Sequence, residues 1–496
     1  MFLLFSLILV AQINQPLWIP SDALVEDSLG DYVAFACDYN YTNGNMYLVC
    51  SPDSGSYFHP DSLGYLLFRS TNHGASGELL LRDVWSAEGW REKDVDLVVT
   101  RSDTVYILAS WYDTYGGTDW VQVAKAYDTT GGWYIDWSSP AIEATEIHSP
   151  KLVRDDFDDF YLYMAYLDVT SEDDTLHILR SADRGNSWST LLQARSAADW
   201  TEQDLAVADS SLYHLSILPS GPNYTLQLSY WRGRGNPATS KVKNPLLVST
   251  PTAGPIQYPR IGVTTTLPDS TQLVYAFYSQ QNSSSGKYDL LYLYSEEGGN
   301  DWPNLSPPAN SVIPDTLATG SFSPVLCDIR GYQAVPNQYM NITYCFTDST
   351  PSFENFWCWA EEGDPTNWQG LASVGTGPNR SIPELVYSPG ASGTGSVVFY
   401  NDSLGNIWLD APWFSGITED TGVETKEIKN QIVLAGNPIE IGSTAATVYD
   451  VTGREIITLN SNSWDLKDGE GEDVKAGIYF IIDKENGNRL KLSVIK

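Results

Sequence analysis

A short pattern recurs through the first 410 residues of this chain and limits the folds that it can adopt. In the clearest copy, residues 176–188, an apolar strand runs into Ser-x-Asp-x-Gly-x-x-Trp. Degenerate copies occupy residues 291–302 and 66–74, and weaker matches occupy residues 121–133, 226–235 and 356–368. The residues that open the six turns lie 56, 55, 49, 65 and 65 positions apart: Ser70, Ala126, Ser181, Tyr230, Ser295 and Ala360. Such regular spacing indicates that one small module is stacked several times.

The chemistry of the turn favours a structural role. Ser and Asp side chains hydrogen-bond nearby backbone groups, Gly supplies a positive φ, and Trp folds back as an apolar plug. We therefore interpret the motif residues as fold-forming rather than catalytic. They are Ser181, Asp183, Gly185 and Trp188 in the clearest copy, Ser295, Glu297, Gly299 and Trp302 in the second, and Ser70, Asn72 and Gly74 in the third.

Each unit also contains strand-like segments upstream of the turn. In one unit, residues 150–153 form a first strand, residues 160–166 an aromatic-rich second strand and residues 175–180 the strand that ends in the turn. An outer strand follows, and four short strands in about 40–65 residues are typical of a propeller blade. A seventh unit, residues 383–409, lacks the motif, and residues 16–19 are a candidate for its outer strand. The pattern predicts an all-β fold containing a six- or seven-bladed β-propeller, with seven blades preferred.

Composition excludes several classes of protein. The chain has 28 Lys and Arg against 62 Asp and Glu, a formal net charge of −34. Nucleic acid and anionic membrane surfaces are therefore poor partners, because both need a basic surface. Hydrophobic residues make up 42% of the chain and aromatic residues 12%, so the chain has enough apolar side chains to bury a core and is not a disordered protein.

The two ends of the chain differ from the repeat region. Residues 1–11 are apolar over the length of a signal-peptide core, which predicts a signal peptide over residues 1–15. A buried first strand is the alternative. No other segment approaches the 18 apolar residues of a membrane-spanning helix. Lys becomes frequent and Trp rare after residue 417, so we place the propeller at 16–414, a linker at 415–430 and a second domain at 431–496.

The cysteines and the acidic clusters leave alternatives open. Cys37 with Cys50, and Cys327 with Cys345, fall in neighbouring strand-like segments, so two disulfides and one remaining thiol at Cys358 are one reading. Isolated buried thiols are the other. None of the five has the spacing of a zinc site. The carboxylates within residues 155–159 and 172–174 offer hard oxygen ligands for Ca²⁺, although their spacing is not that of an EF-hand and acidic loops are common on such a chain.

At Ser181, Asp183, Gly185 and Trp188 the chain resembles the Asp-box, or bacterial neuraminidase repeat, of sialidase-like β-propellers. The resemblance covers roughly residues 30 to 413 and implies that the motif lies on the outer rim, away from any active site. It also implies candidate chemistry, because sialidases of this fold cleave terminal sialic acids. They use three arginines on the substrate carboxylate, a Tyr–Glu nucleophile pair and an Asp acid/base.

The sequence matches that catalytic set poorly. The family's Arg-Ile-Pro motif is absent before the first copy of the repeat, and its nearest counterpart is Arg260 in Tyr-Pro-Arg-Ile-Gly, in the fifth unit. Arg260 is thus the one catalytic candidate. Four more arginines lie near first strands, but no spacing selects three of them: Arg101, Arg154, Arg330 and Arg380. An arginine on a strand is more often solvated or salt-bridged than a ligand clamp.

Residues 431–496 predict a small antiparallel, immunoglobulin-like β-sandwich. Segments 445–449 and 455–459 flank one turn, and segments 477–482 and 490–495 flank another. In this region the chain resembles the C-terminal sorting domain of the bacterial type IX secretion system. The residues that carry this resemblance are Tyr449, Asp450, Gly453, Arg454, Gly477, Tyr479 and Lys496. It implies export to the bacterial surface or medium, with the secretion machinery as a partner.

Three functions remain as hypotheses, and the last of them is a purely structural role in a surface layer. The first is an exported binding or interaction module whose partner is a glycan or a surface protein, with no cofactor required. The second is a glycoside hydrolase of exo-sialidase type. Aromatic pairs such as Trp111-Tyr112 and Tyr230-Trp231 offer stacking platforms for sugar rings, but alternating aromatics in strands more often pack between blades.

Overall fold

A computed structural model describes residues 23–26, most of 32–410 and most of 429–495, with gaps that include 53–60, 265–270 and 388–395. Across these residues the long regular elements are all β-strands, and no α-helix occurs. No helix in this part of the chain is long and apolar enough to cross a membrane.

The strands are numbered in chain order, and the first group extends to residue 136. They are β1 (Ala23–Glu26), β2 (Tyr32–Tyr39), β3 (Met46–Pro52), β4 (Ser62–Ser70), β5 (Glu78–Ser86), β6 (Trp90–Val99), β7 (Val105–Asp113), β8 (Thr118–Thr129) and β9 (Gly132–Asp136). The next are β10 (Ile142–Ala144), β11 (Ile147–Arg154), β12 (Leu162–Asp168), β13 (Asp174–Ser181), β14 (Ser189–Ser196), β15 (Gln203–Ala208), β16 (Ser211–Ser220), β17 (Asn223–Trp231) and β18 (Lys241–Leu247).

Thirteen further strands extend to residue 410. They are β19 (Ile256–Val263), β20 (Val274–Gln281), β21 (Tyr288–Ser295), β22 (Leu305–Ser306), β23 (Ser311–Val312), β24 (Asp315–Ser321), β25 (Leu326–Ala334), β26 (Asn337–Ser349), β27 (Ser352–Glu361), β28 (Asp364–Gly377), β29 (Glu384–Tyr387), β30 (Ser396–Asn401) and β31 (Ile407–Asp410). The remainder are β32 (Lys429–Leu434), β33 (Ile439–Glu440), β34 (Ala446–Asp450), β35 (Glu455–Leu459), β36 (Ser463–Trp464), β37 (Gly477–Asp483) and β38 (Arg489–Ile495).

Strands β1–β31 form seven antiparallel sheets, which we call blades 1 to 7. The main strands of each blade are given in order from the inner strand outward. Blade 1 contains β2–β5, blade 2 contains β6, β7, β8 and β10, blade 3 contains β11–β14, and blade 4 contains β15–β18. Blade 5 contains β19, β20, β21 and β24, blade 6 contains β25–β28, and blade 7 contains β29–β31 followed by β1. The first strands touch one another in the cyclic order β2, β6, β11, β15, β19, β25, β29 and back to β2. These inner strands line a central channel, so the predicted all-β propeller is confirmed, and the cyclic order favours seven blades.

The sequence repeat falls at one topological position. All six turn-opening residues lie on the third strand of their blade, and Ser70, Ser181 and Ser295 are buried at the end of that strand. In the clearest copy, Ser181 Oγ donates to Asp183 Oδ1 over 2.8 Å and accepts the Gly185 N–H over 2.8 Å. Gly185 has φ of +82°, which a side chain would strain. Asn72, Gly74, Glu297, Gly299 and Trp302 lie outside the described residues.

Two details differ from the simple four-strand repeat. The outer strand of blade 7 is β1, which pairs with β31, whereas the candidate segment 16–19 lies outside the described residues. The short hairpin β22–β23 lies in the chain between β21 and β24 of blade 5 but pairs with β18, at the outer edge of blade 4. Blades 4 and 5 are therefore joined by strand pairing as well as by packing.

The five cysteines are all described, all buried, and none forms a disulfide. Strand register explains why. Cys327 lies opposite Tyr344, so Cys345, one residue further along, points to the other face of the sheet. Cys37 lies opposite Leu48, two residues from Cys50, and such diagonal neighbours are too far apart for a disulfide. The reading with isolated buried thiols is the one that the structure supports.

Carboxylates on four of the inner strands join their blade to the next one in the ring. Asp38 Oδ2 accepts the Val99 N–H over 2.8 Å, and Asp96 Oδ2 accepts the Leu152 N–H over 2.8 Å. The same bond recurs from Asp204 Oδ2 to the Ile261 N–H at 2.9 Å and from Asp328 Oδ2 to the Leu385 N–H at 2.8 Å. We call these four bonds the carboxylate clamps. They fix the height of one inner strand against its neighbour.

The C-terminal strands form a separate β unit. Its larger sheet has the order β32, β38, β37, β34, β35, and β33 pairs with β36. Trp464 is fully buried, donates its Nε1–H to the Lys467 carbonyl over 2.7 Å and packs edge-on to Tyr479 at 5.4 Å. Tyr449 and Asp450 lie on β34, whereas Gly453, Arg454 and Lys496 lie outside the described residues.

Replacing one clamp carboxylate should destabilise the propeller. Asp204→Ala leaves the Ile261 N–H without its acceptor and Arg260 without its main counter-charge, so we expect a loss of about 3 kcal/mol in the free energy of unfolding. Asp204→Asn keeps an acceptor and should lose less. Urea denaturation measures both. Asp128→Ala, at an exposed strand end, is the control and should change stability by less than about 0.5 kcal/mol. A loss in Asp204→Ala no larger than the control would contradict the clamp.

Candidate functional site

From blade 2 to blade 7 the inner strands alternate between two residue types, whereas blade 1 contributes a further clamp carboxylate, Asp38. Blades 2, 4 and 6 supply the clamp carboxylates Asp96, Asp204 and Asp328. Blades 3, 5 and 7 each supply a Pro followed by a charged residue, and the backbone N–H that is clamped belongs to the residue directly after it. These charged residues are Lys151, Arg260 and Glu384. The alternation therefore places three carboxylates beside two cations and one further carboxyl group.

The charges on the alternating positions converge. The Lys151 ammonium interacts electrostatically with Asp96 and Asp204 on the two adjacent blades, and also with Arg260 and Glu384 on blades 5 and 7. Burial alone would lower the pKa of Arg260, but Asp204 and neighbouring acidic groups raise it above its usual value. Both cations therefore remain charged and compensated, although Arg260 is only 8% exposed.

Glu384 breaks the alternation, because it stands where blades 3 and 5 have a cation. Its pKa is raised to about 8, first by burial and then by Asp328, although Lys151 lowers it. Asp94, on β6, has its pKa raised to about 6, again mainly by burial. The channel thus holds carboxyl groups that bind protons near neutral pH.

The upper face of the ring, where the inner strands begin, contains a second group of polar residues between blades 4 and 5. Tyr258 has φ of +54° at a bulge in β19, directly before Pro259. Its backbone N–H donates to Glu202 Oε2, and Arg260 Nη1 donates to the Pro259 carbonyl over 2.9 Å. The Tyr258 ring is half-buried, and burial, Glu202 and Tyr288 raise the pKa of its hydroxyl. We call Glu202, Tyr258, Arg260 and Tyr288 the mouth cluster.

The mouth cluster combines several binding groups at one place. Burial raises the pKa of Glu202 to about 7, while Arg260 and the Tyr258 N–H lower it. The cluster therefore offers a carboxyl group that changes protonation near neutral pH, a fixed guanidinium and two tyrosine rings. Perturbed carboxyl groups beside specific charge partners are a common mark of functional sites.

The structure separates the arginines that the sequence could not rank. Arg260 lies in the channel, and both Arg330 and Arg154 act on Asp38 of blade 1, with Arg330 Nε also 3.7 Å from Asp328 Oδ2. Arg101 is exposed, on a turn at the other face of the ring. Arg380 lies outside the described residues. Arg260 and Arg330 therefore lie among the carboxylates of the inner strands, whereas Arg154 acts on one of these carboxylates from β11.

The remaining sequence candidates lie away from the mouth cluster. The Ser181 to Trp188 turn is at the outer part of blade 3, where Trp188 donates to Ser139 Oγ of blade 2 over 3.1 Å. Trp111, Tyr230 and Trp231 are buried in the clusters between blades, whereas Tyr112 is 36% exposed. These aromatics therefore serve mainly as packing.

The described carboxylates of the acidic segment 155–159 already have partners within the protein. Asp155 is fully buried, and its Oδ1 accepts the Asp158 N–H and the Ser210 hydroxyl. Arg234 Nη1 lies 3.2 Å from Asp158 Oδ2. In the described part of the chain no three His, Cys, Asp or Glu side chains are grouped so as to hold a metal ion.

The roles of the clamp carboxylates, of Glu202 and of Glu384 were not predicted from the sequence. A signal for the channel residues did exist, because Pro-Lys-Leu, Pro-Arg-Ile and Pro-Glu-Leu occur at corresponding first strands (150–152, 259–261 and 383–385). That signal marks one residue in three blades. It does not show that those residues face one another, because this depends on the closure of the ring.

No protein-family model matches the chain, and no functionally curated protein matches it in sequence. Solved structures with similar chain arrangement include a polysaccharide lyase PL25, an ulvan lyase, at 10% identity and a TM-score of 0.45 over 80% of this chain and 95% of that one. The GH93 α-L-arabinofuranosidase of Fusarium graminearum gives 10% identity and 0.41 over 80% and 96%. The intramolecular trans-sialidase of Ruminococcus gnavus gives 12% identity and 0.39 over 78% and 96%.

Stability should fall as pH rises from about 5 to about 8. Glu384, Glu202 and Asp94 hold protons in the folded protein that the unfolded chain has already released near pH 4.5, so the folded state binds more protons in this window. Urea midpoints measured at pH 5, 6, 7 and 8 test the direction.

The net charge of −34 also favours unfolding at higher pH, so a matched variant is needed. Glu202→Gln removes one of the three groups and should flatten the profile between pH 5 and 7, whereas Glu143→Gln, at an exposed strand position, should not. A profile that rises with pH, or equal slopes in both variants, would show that these carboxyl groups are not protonated in the fold.

Proposed function

We propose that the protein is an exported carbohydrate-binding propeller that holds its ligand at the mouth cluster. The observation that carries this proposal is the convergence of Glu202, Tyr258 and Arg260 at the face where the inner strands begin. A carboxylate and a guanidinium form directional hydrogen bonds with sugar hydroxyls, and a tyrosine ring packs against the apolar face of a sugar. Binding sites of this kind combine a few fixed polar groups with aromatic surface.

The charge balance favours an uncharged saccharide. Arg260 already has Asp204, Asp328 and Glu384 as neighbouring acidic groups, so little positive potential is left to attract a ligand carboxylate. Glu202 adds a further acid at the mouth, and the chain as a whole carries −34. An acidic sugar would have to approach against this field. A neutral sugar would exchange hydrogen bonds to water for bonds to the same groups without that penalty.

The proposed function also includes an assignment of the repeat motif and a route of export. We assign the Ser181, Asp183, Gly185 and Trp188 turn to the Asp-box class, supported by its hydrogen bonds and by its position after the third strand. The C-terminal β unit is proposed to be a type IX sorting domain that directs the propeller to the cell surface or the medium. The motif residues on β34 and β37, Tyr449, Gly477 and Tyr479, support this assignment.

Hydrolysis is the second candidate, and one observation favours it. Tyr258 and Glu202 act on each other electrostatically, and Glu202 has a pKa of about 7. A tyrosine beside a carboxylate is the nucleophile pair that the sialidase resemblance implies, and a carboxyl group that titrates near neutrality suits proton transfer. The pair would attack a glycosidic carbon only if a second acid, such as Asp94, reached the leaving oxygen.

Binding can be tested with the full chain on a glycan array, followed by calorimetry with the best ligand. Tyr258→Phe and Glu202→Gln should each weaken binding by about tenfold, the loss of one or two net hydrogen bonds. Tyr134→Phe, on the exposed strand β9, is the matched control and should bind normally. Neutral glycans should dominate the positive spots. Full affinity in Glu202→Gln would show that the ligand binds outside the mouth cluster. A preference for sialylated glycans would contradict the argument that the site favours uncharged sugars.

Hydrolysis is measured separately with fluorogenic glycosides, including a sialoside. Turnover that falls by at least about a hundredfold in both Tyr258→Phe and Glu202→Gln would establish the second candidate. Flat traces from protein that is folded by circular dichroism would leave binding alone. Turnover that survives in both variants would place the catalytic groups outside the mouth cluster.

A further inference from the structure

Blade 7 differs from the other blades at the channel wall. At the corresponding position, blades 3 and 5 present Lys151 and Arg260 between clamp carboxylates, but blade 7 presents Glu384. The Leu385 N–H next to it is clamped by Asp328 Oδ2 at 2.8 Å. At the junction between blades 6 and 7, where the alternation would require a cation, the Glu384 carboxyl group therefore interacts electrostatically with the clamp carboxylate Asp328.

Blade 7 is also the blade that closes the ring. It combines β29–β31 with β1, so two separate parts of the chain meet in one sheet. Its inner strand, β29, contacts β25 of blade 6 and β2 of blade 1. Both junctions are held by contacts between segments distant in sequence. An electrostatic change at Glu384 therefore acts where the ring is joined.

We propose that blade 7 is a proton-controlled latch, in which protonated Glu384 keeps the ring closed and ionised Glu384 loosens the junctions of blade 7 with blades 6 and 1. In the protonated state the carboxyl group lies beside Asp328 without repulsion. When the proton leaves to solvent, two negative charges face each other across the blade 6 junction, and the Asp328 clamp on Leu385 weakens. This inference does not depend on the identity of the ligand.

The surrounding groups set the balance. From β25, Asp328 opposes ionisation of Glu384 and Arg330 favours it. Across the channel, Asp96 opposes ionisation, whereas Lys151 and Arg260 favour it. From β2, Glu384 acts on the Cys37 thiol, which lies next to Asp38. Strand β30 carries no carboxylate or cation, and β26 carries one, Asp348, near its end. Burial and Asp328 outweigh the cations and raise the pKa of Glu384 to about 8.

The chain contains its own reporters for this latch. Cys37 lies on β2 at the blade 7 side and is 1% exposed, and burial and Glu384 raise the pKa of its thiol. Cys358 is equally buried, but on the third strand of blade 6 and packed with blade 5. Opening at blade 7 should expose Cys37 before Cys358.

The experiment is alkylation of the full-length protein with iodoacetamide at a series of pH values from pH 6 to pH 9, with rates for each cysteine from peptide mass spectrometry. In the wild type, Cys37 labelling relative to Cys358 should rise at least about fivefold from pH 6 to pH 9, with a midpoint near 8. In Glu384→Gln, which stays neutral, that ratio should not change with pH. Glu143→Gln should behave like the wild type.

Two results would overturn the latch. One is a Cys37 to Cys358 ratio in the wild type that does not change with pH, which would show that the junctions stay closed. The other is the same rise in Glu384→Gln as in the wild type, which would assign it to the thiols themselves. Should Glu384→Gln fail to fold, Glu384→Lys restores the alternation seen at blades 3 and 5, and its ratio should likewise stay constant.

Discussion

Seven inner strands meet around a channel, and an inner strand of a propeller has no hydrogen-bonded neighbour on its channel side. Its peptide N–H groups on that side need acceptors from side chains of the next blade or from water. The carboxylate clamps meet this need, because Asp38, Asp96, Asp204 and Asp328 accept such N–H groups at 2.8 to 2.9 Å. The clamps thereby bring charged groups into the centre of the ring.

Buried carboxylates must in turn be compensated, and this requirement shapes the channel. Lys151 and Arg260 stand between clamp carboxylates and interact with them on both sides. An ion pair removed from water gains little net stability unless its geometry is good, so the alternation is best seen as a device that fixes blade height and order. Arg260 is consequently a structural cation first. Arg260 contributes positive potential to the mouth cluster only to the extent that Asp204, Asp328 and Glu384 do not compensate its charge.

The same constraint explains why acidic groups with raised pKa values gather in one region. Glu202, Asp94 and Glu384 are each desolvated by the ring, and each has only distant or shared cations. Desolvation favours the neutral form of a carboxyl group. A propeller that closes around charged inner strands therefore raises the pKa of acidic groups towards neutral pH. The proposed binding at the upper face and the proposed latch at blade 7 are separate uses of this property.

The modular part of this protein could be predicted from its amino-acid sequence. The repeat, the four strands of most blades and the strand pairs of the C-terminal unit follow from turn residues at fixed offsets and alternating apolar positions, which act over a few residues. The sequence also marked Arg260. That Arg260 meets Glu202 and Asp204, that Glu384 faces Asp328, and that Cys37 and Cys50 do not pair became visible only in the folded chain. These relations depend on strand register and on closure of the ring. Closure brings together residues about 55 or more positions apart, and no local pattern encodes contacts over such separations.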